Sequence, residues 1–187
     1  MINYKKRKGF TLVEVLVAIS ILSIAILATF AAVSHSMRAT NFTEDQITAY
    51  YLADEALEYI RNRRDSNAIA HINALATGGS VEWLAGVAQV ATDPCFPGKV
   101  CYVDVPVATI DAIKTCNSGA SSCPPLLYNS THGLYGYTSG VATPYTRSIT
   151  FTSISNTEMS VTVLVSWTAQ GLSKSYRQTL VLRNWAQ

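Results

Sequence analysis

The sequence has no glycine and no proline from Phe10 to Thr77. These residues are the commonest helix interruptions, because glycine is entropically costly in a helix and proline removes a backbone donor. Their absence excludes the usual stop signals, so a helix that begins near Phe10 is expected to continue far along the chain. All six prolines fall instead between Pro94 and Pro144, a stretch that predicts loops and short strands.

Charged residues are scarce, at 14% of the chain, whereas Ser, Thr and Asn are plentiful. Such a composition is common in proteins that work outside the cytoplasm. Four of the fourteen basic residues stand together at positions 5–8, and the other ten face twelve acidic residues, which leaves a body of net charge −2. A body so close to neutral lacks the basic surface with which proteins bind nucleic acid.

Recognisable catalytic motifs are also missing. The sequence contains no nucleophile motif, no glycine-rich phosphate loop and no closely spaced metal ligands. Its three histidines, His35, His71 and His132, are isolated from one another in the sequence. We therefore predict that the chain is not an enzyme and that it holds no metal and no other cofactor.

Cysteine is confined to one turn-rich region, at Cys95, Cys101, Cys116 and Cys123. An even number of clustered cysteines indicates two disulfides formed in an oxidising compartment. Zinc sites usually have about two to four residues between paired ligands, whereas the gaps here are five, fourteen and six. Free thiols are the remaining alternative. We favour the local pairs Cys95–Cys101 and Cys116–Cys123, although four cysteines also allow other connectivities.

A long apolar run occupies Phe10 to Val33, with 24 residues and a single charge, Glu14. As a helix it would span about 36 Å, enough for a hydrocarbon core of about 30 Å. The basic cluster at 5–8 predicts that the N-terminus stays in the cytoplasm. A secretory signal peptide is one alternative, but its apolar stretch would be shorter. A plain signal anchor is another alternative, in which Glu14 has no function and lies near the membrane surface by chance.

The segment from Lys8 to Glu14, KGFTLVE, follows a short basic leader and precedes the apolar run. It resembles the class III signal of type IV prepilins at every position of the motif. The resemblance implies that residues 1–9 are a leader peptide, which a prepilin peptidase removes by cutting between Gly9 and Phe10. It also implies that the same peptidase N-methylates the new terminus at Phe10.

The resemblance assigns a role to Glu14. A charged carboxylate within a bilayer costs about 2.5–3.5 kcal/mol on insertion scales, so a partner is expected. In type IV pilins that partner is the α-amino group exposed by cleavage, here on Phe10 of a neighbouring subunit. Such a pair fixes the axial register between helices, because only one offset satisfies both charges. The alternative is that Glu14 pairs with the Phe10 amine of its own chain.

The second part of the predicted helix, residues 34–65, is amphipathic. Its apolar stripe is Tyr50, Ala53, Leu57 and Ile60. We expect this stripe to pack on a sheet and the helix to end near Arg64. The opposite, solvent-facing side is expected to carry Glu44, Asp45, Asp54, Glu55, Glu58 and Arg61. A short second helix is predicted around Ala68–Leu75, and we expect Trp83 and Leu84 to cover the edge of the sheet.

The rest of the chain predicts β-structure. Strict alternation in MSVTVLVSW predicts a strand with Met159, Val161, Val163, Val165 and Trp167 facing the helix. RSITFTSI before it and KSYRQTLVLRNW after it alternate in the same way and predict an antiparallel meander; KVCYVDV and PLLYN predict two further strands. The expected fold is α+β, with a globular extracytoplasmic domain at 66–187 and a cysteine-containing loop region at 95–145.

The resemblance extends to a branch of the family. AYYLADEALEYIRNRRD and the closing strands are similar to the V-type minor pilins and the I-class pseudopilins of type II secretion. It implies a structural subunit of an extracellular or periplasmic filament, drawn from a pool in the inner membrane. Its implied partners are other subunits, the prepilin peptidase, the assembly platform and membrane lipid. A major pilin is an alternative, but major pilins typically carry a helix-breaking proline that this membrane segment lacks.

Two other functions remain open from the sequence. The subunit could be a displayed adhesin or DNA-uptake receptor that binds DNA or a surface through the region Cys95–Tyr145. The candidate contact residues are Tyr128, Tyr135, Tyr137 and Tyr145, which could equally be strand and core residues. The third hypothesis is a single-pass membrane sensor with an uncleaved N-terminus, against which the Gly9-Phe10 motif argues.

Overall fold

The computed structural model describes residues 9–106, 112–116, 123–169 and 171–185, without the side chains of 38 and 41. The first eight residues of the predicted leader and parts of the predicted loop region lie outside these ranges. The chain divides into two compact units, Met1–Glu44 and Asp45–Gln187. A single helix, α1, is assigned from Leu12 to Leu75 and contributes residues to both units.

In the first unit, α1 is apolar and uncovered. Every described side chain from Thr11 to Val33 is exposed, and a window of this helix reaches a mean hydropathy of 2.6. The few hydroxyls in the run donate to the helix's own carbonyls, as Ser20 does to Leu16 at 2.8 Å and Ser23 to Ile19 at 2.8 Å. These hydroxyl donors are thus satisfied without water. By its length and composition, the helix is long and apolar enough to cross a membrane.

The helix does not end near Arg64, and the predicted second helix at Ala68–Leu75 is wrong as a separate element. Those residues form the last turns of α1, because no glycine or proline interrupts the chain before Gly78. There the amide of Gly78 donates to Leu75 at 3.2 Å and that of Gly79 to Ala74 at 2.9 Å. Gly78 has a φ of 76°, so the pattern is a Schellman C-cap, which requires a left-handed residue.

The second unit contains one antiparallel seven-stranded sheet. Its strands are β1 Val100–Val103, β2 Ile113–Thr115, β3 Pro125–Asn129, β4 Leu134–Gly136, β5 Val141–Ser155, β6 Glu158–Ala169 and β7 Leu172–Arg183. The predicted meander is confirmed as β5–β6–β7, with Phe151 opposite Val161 and Val161 opposite Leu180. On its other side β5 pairs β3 near its start and β1 further along. The link residue Gln170 lies outside the described residues.

The core lies between the inner face of this sheet and the α1 residues of the second unit, which confirms the α+β architecture. All five inward residues predicted on β6 are buried, and Ile149, Phe151 and Leu182 join them. The helix residues in this core are Ala49, Leu52, Ala53, Ala56, Leu57 and Ile60. Trp83 and Leu84 are core residues rather than a cover for the sheet edge.

Two predictions about the faces of this helix are wrong. Tyr50, placed in the apolar stripe, is 43% exposed, and Ala49, Leu52 and Ala56 widen the stripe instead. Four residues assigned to the solvent side, Asp45, Asp54, Glu55 and Arg61, are half-buried. The reason is that the sheet supplies polar partners along both margins of the stripe, so carboxylates there contact strands instead of facing water.

Both cysteine pairs are disulfides in the structure. Cys95 joins Cys101 with Cα atoms 5.2 Å apart, and Cys116 joins Cys123 at 4.8 Å. These are the local pairs favoured from the sequence. All four cysteines are buried. The first bond joins the segment before β1 to β1 itself, and the second joins the residue after β2 to a residue just before β3.

Candidate functional site

The predicted cleavage site lies outside regular secondary structure. Gly9 and Phe10 precede the first helical residue, Leu12, and both are exposed, Phe10 at 81%. Among the described residues, no atom apart from those of Gly9 and its chain neighbours lies within 4 Å of the position that a side chain on Gly9 would occupy. The peptide bond between Gly9 and Phe10 therefore lies before the first helical residue, and both residues that it joins are exposed.

Thr11 caps the N-terminus of α1. Its hydroxyl accepts a hydrogen bond from the Glu14 amide at 3.3 Å, and its carbonyl accepts one from the Val15 amide at 3.2 Å. Thr11 is thus the N-cap residue and Glu14 the third helical residue, the spacing of a capping box. Sequence reasoning missed this role, although Thr-Leu-Val-Glu before an apolar run matches the capping-box pattern.

The cap gives Glu14 a local role in addition to the predicted one. A carboxylate in the first helical turn interacts favourably with the partial positive charge of the helix N-terminus. Before cleavage the Phe10 nitrogen belongs to a peptide bond and carries no charge, so the amine partner within the same chain does not exist yet. Cleavage would therefore place a new positive charge close in sequence to Glu14.

In the second unit, a buried arginine joins the helix to the sheet. Arg147 is fully buried on β5, where Nη1 donates to the Leu52 carbonyl at 2.8 Å and to Glu55 Oε2 at 2.8 Å. Nη2 donates to the Val103 carbonyl of β1 at 2.6 Å. Sequence reasoning missed this residue, but Arg147 occupies an inward position of the same alternation as Ile149. A charged residue at an inward strand position was therefore the sequence signal for a buried polar contact.

Tyr145 makes a second polar link between β5 and α1. Its hydroxyl donates to Asp45 Oδ1 at 2.9 Å, and the residue is only 6% exposed. Burial, followed by the hydrogen bond and the charge of Asp45, raises the pKa of Tyr145 to about 12. This tyrosine therefore remains protonated at any physiological pH and acts as a fixed donor.

The tyrosines proposed for ligand binding are largely structural. Burial raises the pKa of Tyr137, with the nearby Arg147 opposing the shift. Tyr135 is half-buried against Tyr145, with ring centroids 6.3 Å apart, and its other neighbour is Tyr128 at 5.0 Å. Of the four candidates, only Tyr128 is exposed. The core interpretation is confirmed for the other three, so the adhesin hypothesis gains no support from them.

The histidines lie apart in the described structure. His71 Nδ1 lies 2.9 Å from the Val81 carbonyl, whereas His132 contacts Asn129 in an exposed turn. His35 is exposed on α1. Within the described part of the chain, no three His, Cys, Asp or Glu side chains gather as a metal ion would require.

Comparison with known proteins identifies the N-terminal segment. Residues 4–30 match the family model described as the prokaryotic N-terminal methylation motif. No curated protein and no solved structure matches the chain. The match covers the basic residues, Gly9, Phe10, Thr11 and Glu14, and most of the apolar run. It does not extend to the sheet of the second unit.

Proposed function

We propose that this type IV pilin-like prepilin is a structural subunit, a minor pilin or pseudopilin, of a type IV pilus or a type II secretion-like filament. The observation that carries the proposal is the methylation motif at 4–30, which runs into the apolar first half of α1, where every described side chain as far as Val33 is exposed. An apolar surface of this size needs lipid or other helices to cover it. In a filament subunit, lipid covers this surface before assembly and neighbouring helices cover it afterwards.

The first step in this function is processing. The prepilin peptidase cuts between Gly9 and Phe10, where the chain has not yet entered the helix and Gly9 offers no side chain to obstruct the enzyme. The residues of the leader depart and leave an α-amino group on Phe10, with a pKa near 8 in the absence of other influences. The same peptidase then methylates that nitrogen.

The second step is assembly. Apolar side chains such as Ile21 and Phe30 leave lipid and pack against neighbouring helices, which changes their hydrophobic environment little. Charge therefore determines which axial offset is selected. Glu14 accepts the Phe10 amine of a neighbouring subunit, and only one offset satisfies both groups. The absence of a helix-breaking proline in this segment favours a minor subunit over a major one.

The location follows from the same features. The apolar helix and its signal fit a subunit anchored in the inner membrane before assembly. We place residues 5–8 in the cytoplasm by the positive-inside rule and the second unit on the other side, where the two disulfides are stable. The partners are other pilin-type subunits, the prepilin peptidase, the assembly platform and membrane lipid. We assign a structural role and no enzymatic one.

Peptide mass spectrometry of sheared surface filaments and of membranes from the native host tests the proposal. We expect an N-terminal peptide that begins at methylated Phe10, present in filaments at low abundance relative to other pilins. A chain that dominates the filament would instead be a major pilin. Membranes that contain only uncleaved Lys8-Gly9-Phe10 peptides would overturn the assembly mechanism and favour the membrane-sensor alternative.

A further inference from the structure

An open groove of about 720 Å³ lies along one face of α1 within the second unit. One wall is the helix from Thr48 to Asn62, and the other is formed by Val105 and the turn Gly133–Tyr135. The helix residues that line it include three adjacent pairs and span about half of the helix circumference, from Leu52 at the edge of the buried stripe to Asp54, which lies about 160° away around the helix. Of these helix residues the core takes only Leu52, and the proposed assembly step uses none of them.

The dimensions of the groove suit an extended polypeptide. Fourteen helical steps from Thr48 to Asn62 correspond to about 21 Å, at about 1.5 Å per residue. An extended chain advances about 3.3 Å per residue, so about six residues would occupy that length. The volume lies within the range of about 300–1,000 Å³ that is typical of ligand sites.

The charges of the groove favour a cationic partner. Three carboxylates line it: Asp54, Glu55 and Glu58. Glu55 is bound to the buried Arg147 at 2.8 Å, and Glu58 to Arg61 at 3.0 Å. Asp54 has no ion pair among the described residues and receives only the Gln178 amide at 3.4 Å. One negative charge therefore remains without a cation, at a half-buried position where it is partly shielded from water.

The rest of the lining would receive the side chain that carries such a cation. Tyr51 is 65% exposed, and Tyr59 and Tyr135 are half-buried, so aromatic surface lies on both walls. Tyrosine faces attract guanidinium and ammonium groups. Val105 and Leu134 supply the apolar surface that the aliphatic stem of lysine or arginine covers. The contacts of Tyr135 with Tyr128 and Tyr145 hold one wall in place.

We propose that this groove binds an extended segment of a neighbouring filament subunit, and that Asp54 receives a lysine or arginine side chain from that segment. The identity of the partner rests on the proposed function. The chemistry of the groove rests only on its lining, its length and its charge.

A binding experiment tests the chemistry without a filament. The mature full-length chain in detergent is titrated with Nα-acetyl-arginine amide, and the ring signals of Tyr51 and Tyr59 are followed by NMR. The matched probe, Nα-acetyl-citrulline amide, has the same shape without the charge. We expect saturable shifts with the arginine probe, and at least threefold weaker binding for citrulline and for Asp54→Asn. Glu82→Gln, outside the groove, should bind as the wild type does. Equal binding of both probes, or no effect of Asp54→Asn, would overturn the assignment of a cation.

A filament experiment tests the partner. Asp54→Lys and the milder Asp54→Asn are expressed in the native host, with Glu82→Lys as the matched charge reversal. We expect the ratio of filament to membrane abundance to fall at least fivefold for Asp54→Lys, and less for Asp54→Asn, with unchanged membrane pools. Normal incorporation of both variants would exclude the neighbouring subunit as the occupant. If the wild-type chain is itself absent from filaments, the proposed function and this partner fail together, while the arginine probe still decides the chemistry.

Discussion

Two stretches of the same helix differ in what covers their apolar side chains. From Leu12 to Val33 every described side chain is exposed, whereas from Ala49 to Ile60 six apolar side chains are buried against the core of the second unit. Both stretches lack glycine and proline and form regular helix. Helical propensity is thus similar in the two stretches. They differ in what covers their apolar side chains, which is the core of the second unit in one stretch and no described residue in the other.

The two stretches of α1 should therefore respond differently to substitution. A change in the first stretch should alter cleavage or assembly and leave the stability of the second unit unchanged. A change in the second stretch, or in the strands against it, should alter stability and leave the N-terminal signal intact. Four substitutions examine this separation.

The largest effect is expected for Glu14→Gln. In the proposed function this carboxylate is the partner of the Phe10 amine, so its loss should lower the abundance of the chain in filaments at least tenfold. Cleavage at Gly9 and the urea midpoint of the second unit should not change. Quantitative mass spectrometry of filaments and membranes measures the first effect. A variant that assembles at the wild-type level would contradict the register mechanism.

The next largest effect is expected for Arg147→Met. This substitution removes a fully buried guanidinium and leaves the half-buried Glu55 without its cation and two carbonyls without their donor. Removing one member of a buried pair typically costs about 3–5 kcal/mol. Urea unfolding of the full-length chain, followed by tryptophan fluorescence, measures the loss. Glu58→Gln, which breaks only the exposed pair with Arg61, should cost less than about 1 kcal/mol. Similar losses for both variants would show that Arg147 does not hold the helix and the sheet together.

Removal of the first disulfide should have an intermediate effect. In Cys95→Ala with Cys101→Ala, a link between residues six apart in sequence is lost. Closure of so short a loop accounts for about 2 kcal/mol of unfolded-state entropy. The free energy of unfolding should fall by that amount, and reducing agent should then destabilise the variant less than the wild type. Equal sensitivity of both proteins to reductant would show that this bond contributes little.

The smallest effect is expected for Tyr145→Phe, which removes one hydrogen bond to Asp45 and should cost about 1 kcal/mol at neutral pH. The variant should also respond differently to alkali. Because the folded-state pKa of Tyr145, about 12, lies above its ordinary value, its contribution is complete below pH 10 and is lost as the pH rises towards 12. Unfolding free energies at pH 9 and pH 12 should therefore differ less in the variant. An equal alkaline loss in both proteins would mean that Tyr145 does not titrate in this way.

Local patterns predicted most of the elements. Alternation of apolar and polar residues identified β6 and its inward side chains, and the turn-rich composition located β1, β3 and both disulfides. The short strands β2 and β4 were missed because three residues carry too little periodicity. The early part of β5 was missed because Pro144 interrupts the pattern. This proline is tolerated because the pairing of β5 with β6 begins only at Thr146.

The site residues also fall into two groups, those that a local motif predicted and those whose contacts are distant in the sequence. Gly9, Phe10 and Glu14 were predicted from a contiguous motif, since processing and capping depend on neighbours within a few residues. Arg147 and Asp54 were not assigned their contacts, because each meets groups about ninety or more residues away. Their partners exist only after the helix and the sheet have come together.

The sequence by itself determined where α1 begins, its apolar membrane-length half, the N-terminal signal and the meander of long strands. These depend on periodicity, composition and short-range hydrogen bonds, all of which are local. Only the tertiary structure decided that Tyr50 is exposed, that Arg147 joins the sheet to the helix, and that a groove with one uncompensated carboxylate lies beside the helix. The burial of a side chain and the pairing of its charge depend on groups that are distant in the sequence. Only tertiary packing brings those groups together.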